Sequence, residues 1–161
     1  MLEYLLNFLK TEEELNPVLC GYFSKLINVF ISSKSEDFFD YLYKHEHIIE
    51  DFANHIYNKS ISDNFIKILI NEKIPHEITP ENVDSFKTLG ISKIIQNFEK
   101  GSENRELYLN TTQVISDISP KKGIFPLMVS LGIFEKILDQ LNSSEDLKVV
   151  STCKIISILI A

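Results

Sequence analysis

A chain of 161 residues, 44% hydrophobic and 24% charged, lies in the globular range and has room for one core of ordinary size, which excludes wholesale disorder. Its net charge of −7 and single arginine, Arg105, exclude a surface built to neutralise nucleic-acid phosphates or anionic lipid and suit a basic protein partner instead. The longest uncharged apolar run, Ile155 to Ala161, falls far below the ~20 residues of a spanning helix, so no membrane partner is expected.

Met1 to Lys10 holds an apolar cluster without a basic start and cleavable apolar run. A cytosolic or nuclear location follows, and the Asn-x-Ser/Thr triplets at Asn58, Asn110 and Asn142 carry no weight as glycosylation sites. Asn16 before Pro17 is an N-cap followed by proline at the first helical position, and Leu19, Phe23, Leu26 and Phe30 then recur at helical spacing to about Ser32. Ser35 is predicted to cap a helix from Glu36 to Lys44, with Glu36 and Asp37 at its positive end. A third helix is predicted over 48–57, and Ser60 is predicted to cap a fourth over 61–71 with an apolar stripe of Ile61, Phe65, Ile68 and Leu69.

Thr79-Pro80-Glu81 repeats the cap-then-proline signal, opening a short helix predicted to stop at Leu89-Gly90. Helices then follow over 92–100, 103–118, 124–131, 133–141 and 145–160, with loops at 71–78 and 119–123. No hairpin dipeptide separates alternating runs, so no strand is predicted. At an offset of 42 residues, Leu89-Gly90-Ile91 overlays Leu131-Gly132-Ile133, and Ile95, Ser102, Leu107, Val114 and Ile118 fall on Ile137, Ser144, Val149, Ile156 and Ile160. That period, with two shorter helices and a long third one, predicts an all-α stack of armadillo- or HEAT-like repeats, three to four in number, the earlier ones irregular.

The stretch Leu15-Asn16-Pro17, Tyr22-Phe23-Ser24-Lys25, Lys44-His45-Glu46 and His55-Ile56, running without insertion to Asp63, resembles the opening of the SAPS domain. Tyr57-Asn58-Lys59-Ser60 departs from the Gly-Thr-Ser-Ala typical of that family, after which Ile61, Asp63 and Lys67 fall back into step. Asn110-Thr111-Thr112-Gln113, continuing to Asp117-Ile118, resembles a second family helix, and Val150 to Leu159 looks like the next repeat. The resemblance implies a non-catalytic regulatory subunit of a protein phosphatase 6-type serine/threonine phosphatase, often joined by an ankyrin-repeat protein. Family members are longer at both ends, so these 161 residues are expected to be part of a longer domain. On the matching positions the candidate partner-binding residues are Asn16, Tyr22, Lys25, His55, Asp63, Lys67, Asn110 and Gln113. For Tyr22, Lys25, Asn110 and Gln113, partner contact and support of a neighbouring helix are both open readings, and Asp63 with Lys67 forms an i, i+4 pair.

Other constellations favour plainer readings. His45-Glu46-His47 with His55 has ligand chemistry, but residues two apart point to different helix sides, so neither metal nor cofactor is expected. Cys20 and Cys153 lie in apolar helical text without a C-x-x-C pair and read as buried free thiols. The chain has no Gly-x-Ser-x-Gly elbow or phosphate loop, and its Glu and Asp runs suit helix starts, so no catalytic residue is assigned. Ser119-Pro120 is a candidate proline-directed phosphorylation site, with a plain turn as the competing reading. The alternative function is a helical-repeat adaptor for an unrelated protein, motivated by the departure at 57–60.

Overall fold

The computed structural model describes residues 1–100, 104–142 and 146–160. Among the described residues ten α-helices succeed one another: α1 Leu2–Leu6, α2 Pro17–Ser33, α3 Ser35–Lys44, α4 Ile48–Asn54, α5 Lys59–Leu69, α6 Pro80–Glu99, α7 Arg105–Ile118, α8 Ile124–Ser130, α9 Ile133–Leu141 and α10 Asp146–Leu159. A 3-10 turn, Asn7–Leu9, follows α1, and no strand occurs among the described residues. The predicted starts at Glu103 and Glu145 and the overlay of Ser102 on Ser144 lie outside the described residues.

The helices form two layers. In one, α2 packs on α5, α5 on α7 and α7 on α10; in the other, α4 packs on α6 and α6 on α9, with α3 and α8 joining at the sides. Such stacking is the repeat architecture expected from the 42-residue period, since each helix buries its apolar side only against the next unit. The buried apolar side chains form one continuous cluster from Leu6 to Ile155. Phe38, Phe52, Phe65, Phe86 and Phe98 within it are fully buried, and each contributes roughly 1.5–3 kcal/mol by leaving water. Amides lock the layers where backbone would be left unpaired: Asn97, 5% exposed, donates to Ala53 O at 2.9 Å between α6 and α4.

Local signals explain most boundaries. Asn16 accepts from the Val18 and Leu19 N–H groups at 2.9 and 3.3 Å and starts α2. Thr79 and Asn82 exchange bonds in a capping box at the head of α6.

Several expectations are corrected. The apolar cluster of Met1 to Lys10, for which no element was predicted, forms α1 and the 3-10 turn and buries Leu6 and Leu9. Ser35 is the first residue of α3 rather than its cap, because α2 and α3 are separated by Lys34 alone. Helix α4 ends at Asn54, not Tyr57, since Asn58 takes an extended conformation and caps α5 through Ser60 N–H at 3.0 Å, displacing Ser60 from that role.

The two overlaid glycines behave differently. Gly132 has φ +80° and breaks the chain between α8 and α9, as expected. Gly90 lies inside α6, which runs unbroken for 20 residues where two helices were predicted. A Cβ at Gly90 would stand 2.8 Å from Ile49 Cγ1 and 3.1 Å from Leu69 Cδ1, so the missing side chain lets α4 and α5 close on α6. Cys20 is buried, but Cys153 is exposed: α10 is apolar on several sides, and Ser151, Thr152 and Ile155 take the inner one.

Candidate protein-binding face

The helices α2, α5, α7 and α10, each packed on the next, carry exposed polar side chains that bridge α2 to α5 and α7 to α10. Lys67 on α5 donates to Asn28 Oδ1 on α2 at 2.6 Å. Lys154 on α10 donates to Gln113 Oε1 on α7 at 2.7 Å, while Gln113 Nε2 donates to Asp117 Oδ1 at 2.7 Å. Beneath this row Asn64, fully buried, reaches Ser24 O at 3.5 Å. The bridging lysines therefore grip amides, and their charges are left available at the surface.

Tyr22 and Lys25 stand at the α2 end of the row. Tyr22 is 61% exposed, and the Lys25 ammonium lies 5.7 Å from its ring centroid, a cation–π contact that stiffens both side chains. Asp63 is exposed on α5 but pairs with Lys59 at 2.6 Å instead of Lys67, which corrects the expected i, i+4 pair: Lys67 is drawn across to Asn28. Gln113 is half-buried in the row. Thus Tyr22 and Lys25 lie on α2, Asp63 and Lys67 on α5 and Gln113 on α7, helices that pack in succession. Asn28 and Lys154 belong to the same row and were missed, because their partners lie 39 and 41 positions away in the chain.

Three candidates do structural work. Asn16 caps α2. Asn110 donates inward to Tyr57 O at 2.5 Å, tying α7 to the turn before α5. His55 is 4% exposed, its Nε2 bonded to Leu9 O at 3.0 Å and its Nδ1 to Tyr57 Oη at 3.2 Å. Because a carbonyl only accepts, Nε2 carries the proton and Nδ1 accepts from Tyr57.

Elsewhere, His45 stacks on Tyr41 with ring centroids 4.2 Å apart, and Glu46 accepts from Ser85 Oγ at 2.6 Å. Among the described residues no three His, Cys, Asp or Glu side chains are grouped to hold a metal. Burial pushes the Cys20 thiol above its ordinary pKa, away from the thiolate a nucleophile needs. Ser119, the candidate phosphorylation site, is buried and donates to Ile115 O and toward Met128 Sδ, so a kinase cannot reach it in the folded chain. No helix among the described residues is long and apolar enough to cross a membrane.

A two-layer stack in which successive helices pack in order and polar side chains bridge α2 to α5 and α7 to α10 belongs to the class of helical-repeat proteins, whose extended faces serve as binding surfaces. Within that class, the profile of the SAPS family, described as SIT4 phosphatase-associated protein, matches residues 27–119, and this chain belongs to that family. The match contains His55, Asp63, Lys67, Asn110 and Gln113, whereas Asn16, Tyr22 and Lys25 precede it. The chain is 26% identical over 121 residues to mouse serine/threonine-protein phosphatase 6 regulatory subunit 1, covering 73% of this chain and 14% of that protein. It is 35% identical over 69 residues to chicken serine/threonine-protein phosphatase 6 regulatory subunit 3, covering 43% and 8%. Mouse regulatory subunit 2 is 28% identical over 90 residues, 52% of this chain and 10% of its own length. The chain thus spans at most about one seventh of these relatives. No solved structure matches it.

Proposed function

We propose that this chain is part of a non-catalytic regulatory subunit that holds the catalytic subunit of a phosphatase 6-type serine/threonine phosphatase along the α2–α5–α7–α10 row. The observation that carries this reading is that the family match over 27–119 includes the C-terminal part of α2, from residue 27 to Ser33, and all of α5 and α7, and so reaches three of the four helices of the row. Lys25, Lys67 and Tyr22 supply anchors of the kind that dominate protein interfaces, a desolvatable aromatic ring and cations with fixed positions. The chain is read as a portion of one longer helical-repeat domain acting in the cytosol or nucleus, with an ankyrin-repeat protein as a third component.

The departure from the family at 57–60 fits this reading. Tyr57 and Asn58 are used internally, to hold Leu15 N–H at 2.8 Å and to cap α5, so the altered turn need not alter recognition.

The test is capture of purified phosphatase 6-type catalytic subunit by the immobilised 161-residue chain, with a titration of affinity. Saturable capture by chain of native helical content is expected. Absence of capture under those conditions would overturn the proposal and leave the unrelated-partner adaptor as the better account.

A further inference from the structure

Of the fourteen large apolar residues exposed among the described residues, six besides Tyr22 of the polar row lie on α1 and α2 or beside them: Met1, Tyr4, Val18, Leu19, Leu26 and Val29. Between these helices runs an open groove of about 760 Å³, floored by Phe8, Phe23 and Phe30 and walled by Tyr4, Leu19 and Leu26. Leu26 is 50% and Leu19 52% exposed, although side chains of this size are normally buried. The groove positions on α2 recur at 19, 23, 26, 30 and 33. From first to last they cover fourteen residue steps, roughly 21 Å at ~1.5 Å per residue, the contact length of a helix of about four turns.

Charge selects the occupant. The whole chain has 23 acidic residues against 16 basic ones, yet α2 contains no carboxylate and none lines the groove. Lys34 closes one end and makes no ion pair among the described residues. The nearest acids in sequence, Glu36 and Asp37, face another cleft toward Pro75 and His76. A second copy seated on this face would present the same carboxylate-free groove and α2, with no acid to meet Lys34.

We infer that the α1–α2 groove is a docking site, separate from the polar row, for an amphipathic helix of a partner protein whose apolar stripe is flanked by Asp or Glu. The apolar stripe fills the groove at i, i+4 and i+7. The acidic flank meets Lys34.

The experiment titrates the 161-residue chain against two labelled sixteen-residue helical peptides, read by fluorescence anisotropy. Both carry Leu at the stripe positions; one is flanked by Glu, the other by Lys. Binding of the Glu peptide about ten-fold tighter, weakening with salt, is expected. Lys34→Glu should reverse the preference, and Leu26→Gln should lower affinity for the Glu peptide about ten-fold at unchanged circular dichroism. These positions lie outside the residues assigned to the phosphatase face, so phosphatase capture by Lys34→Glu stays as in the unmodified chain. Equal binding of both peptides, or of neither, overturns the inference. So does a concentration-dependent dimer in light scattering that Leu26→Gln disperses, since the groove would then belong to a second copy.

Discussion

Lys67 on α5 donates its ammonium to the Asn28 side-chain oxygen on α2 at 2.6 Å, and Lys154 repeats the relationship on Gln113 between α10 and α7 at 2.7 Å. Both bonds are exposed, so each should contribute under about 1 kcal/mol to stability. Their value lies in holding two cations at fixed points of the row. Lys67→Glu should therefore lower affinity for the phosphatase catalytic subunit about ten-fold while moving the urea midpoint little. Unchanged affinity would remove Lys67 from the contact face.

Tyr22 and Lys25 brace each other across 5.7 Å without a buried partner. Tyr22→Ala combined with Lys25→Ala should weaken capture by about ten-fold or more and leave circular dichroism unaltered, as expected where an aromatic and a cation carry much of an interface. Each single variant should show a smaller loss. If the double variant captures as well as the parent chain, the interface lies further along the row, toward Gln113 and Lys154.

Local signals were the legible part of this fold. Asn16-Pro17 and Thr79-Pro80 announce their helices because a cap and its acceptors lie within three residues. Asn58 was harder to see, since Ser60 has the same chemistry two positions on and only the turn geometry chooses between them. Leu89-Gly90-Ile91 and Leu131-Gly132-Ile133 carry nearly the same text and end differently, one inside a helix and one at φ +80°. The first is decided by Ile49 and Leu69, which the local sequence does not contain. The candidate face shows the same division: Lys67 reads as a partner of Asp63 four residues away and is in fact bonded across helices to Asn28.

Gly90 gives that lesson a measurable form. Helix propensity alone favours Gly90→Ala by about 1 kcal/mol. The 2.8 Å approach of the new Cβ to Ile49 Cγ1, well inside the chain of that residue, opposes it. Over-packing of this kind costs typically 1–3 kcal/mol, so the net change in urea denaturation should be a loss of about 1 kcal/mol for alanine and a larger one for valine. A stabilised Gly90→Ala protein would mean that α4 and α6 are less closely packed than described.

Burial raises the Asp51 carboxyl above its ordinary 3.8, against smaller opposing effects of His47, Lys10 and His55. The folded chain then holds this proton more tightly than the unfolded chain does. Its contribution is favourable below 3.8, declines as pH rises through the raised folded value, and remains a fixed penalty beyond it. Asp51→Asn should therefore be more stable than the parent at about pH 7, with the gap narrowing toward about pH 3. Denaturation midpoints at the two pH values test this, and a gap that does not depend on pH would sink it.

His55 joins two segments that are far apart in sequence. Its Nε2–H donates to Leu9 O at 3.0 Å, and its Nδ1 accepts from Tyr57 Oη at 3.2 Å, while Tyr57 Oη itself accepts from Leu15 N–H at 2.8 Å. This relay fastens the segment carrying α1, and with it one wall of the apolar groove, to the turn between α4 and α5. His55→Ala would leave the Leu9 carbonyl unpaired and open a space at a residue only 4% exposed, a combined cost of about 2–4 kcal/mol. Tyr57→Phe keeps the ring and removes the hydroxyl, so its cost should be nearer 1–2 kcal/mol. The loss should be local first: limited proteolysis is expected to cut between Lys10 and Leu15 in both variants, at protease levels that leave the parent chain intact, before the α5–α7 core opens. Cleavage beginning instead within α5 or α7 would show that the relay supports the stack as a whole and not the N-terminal segment in particular.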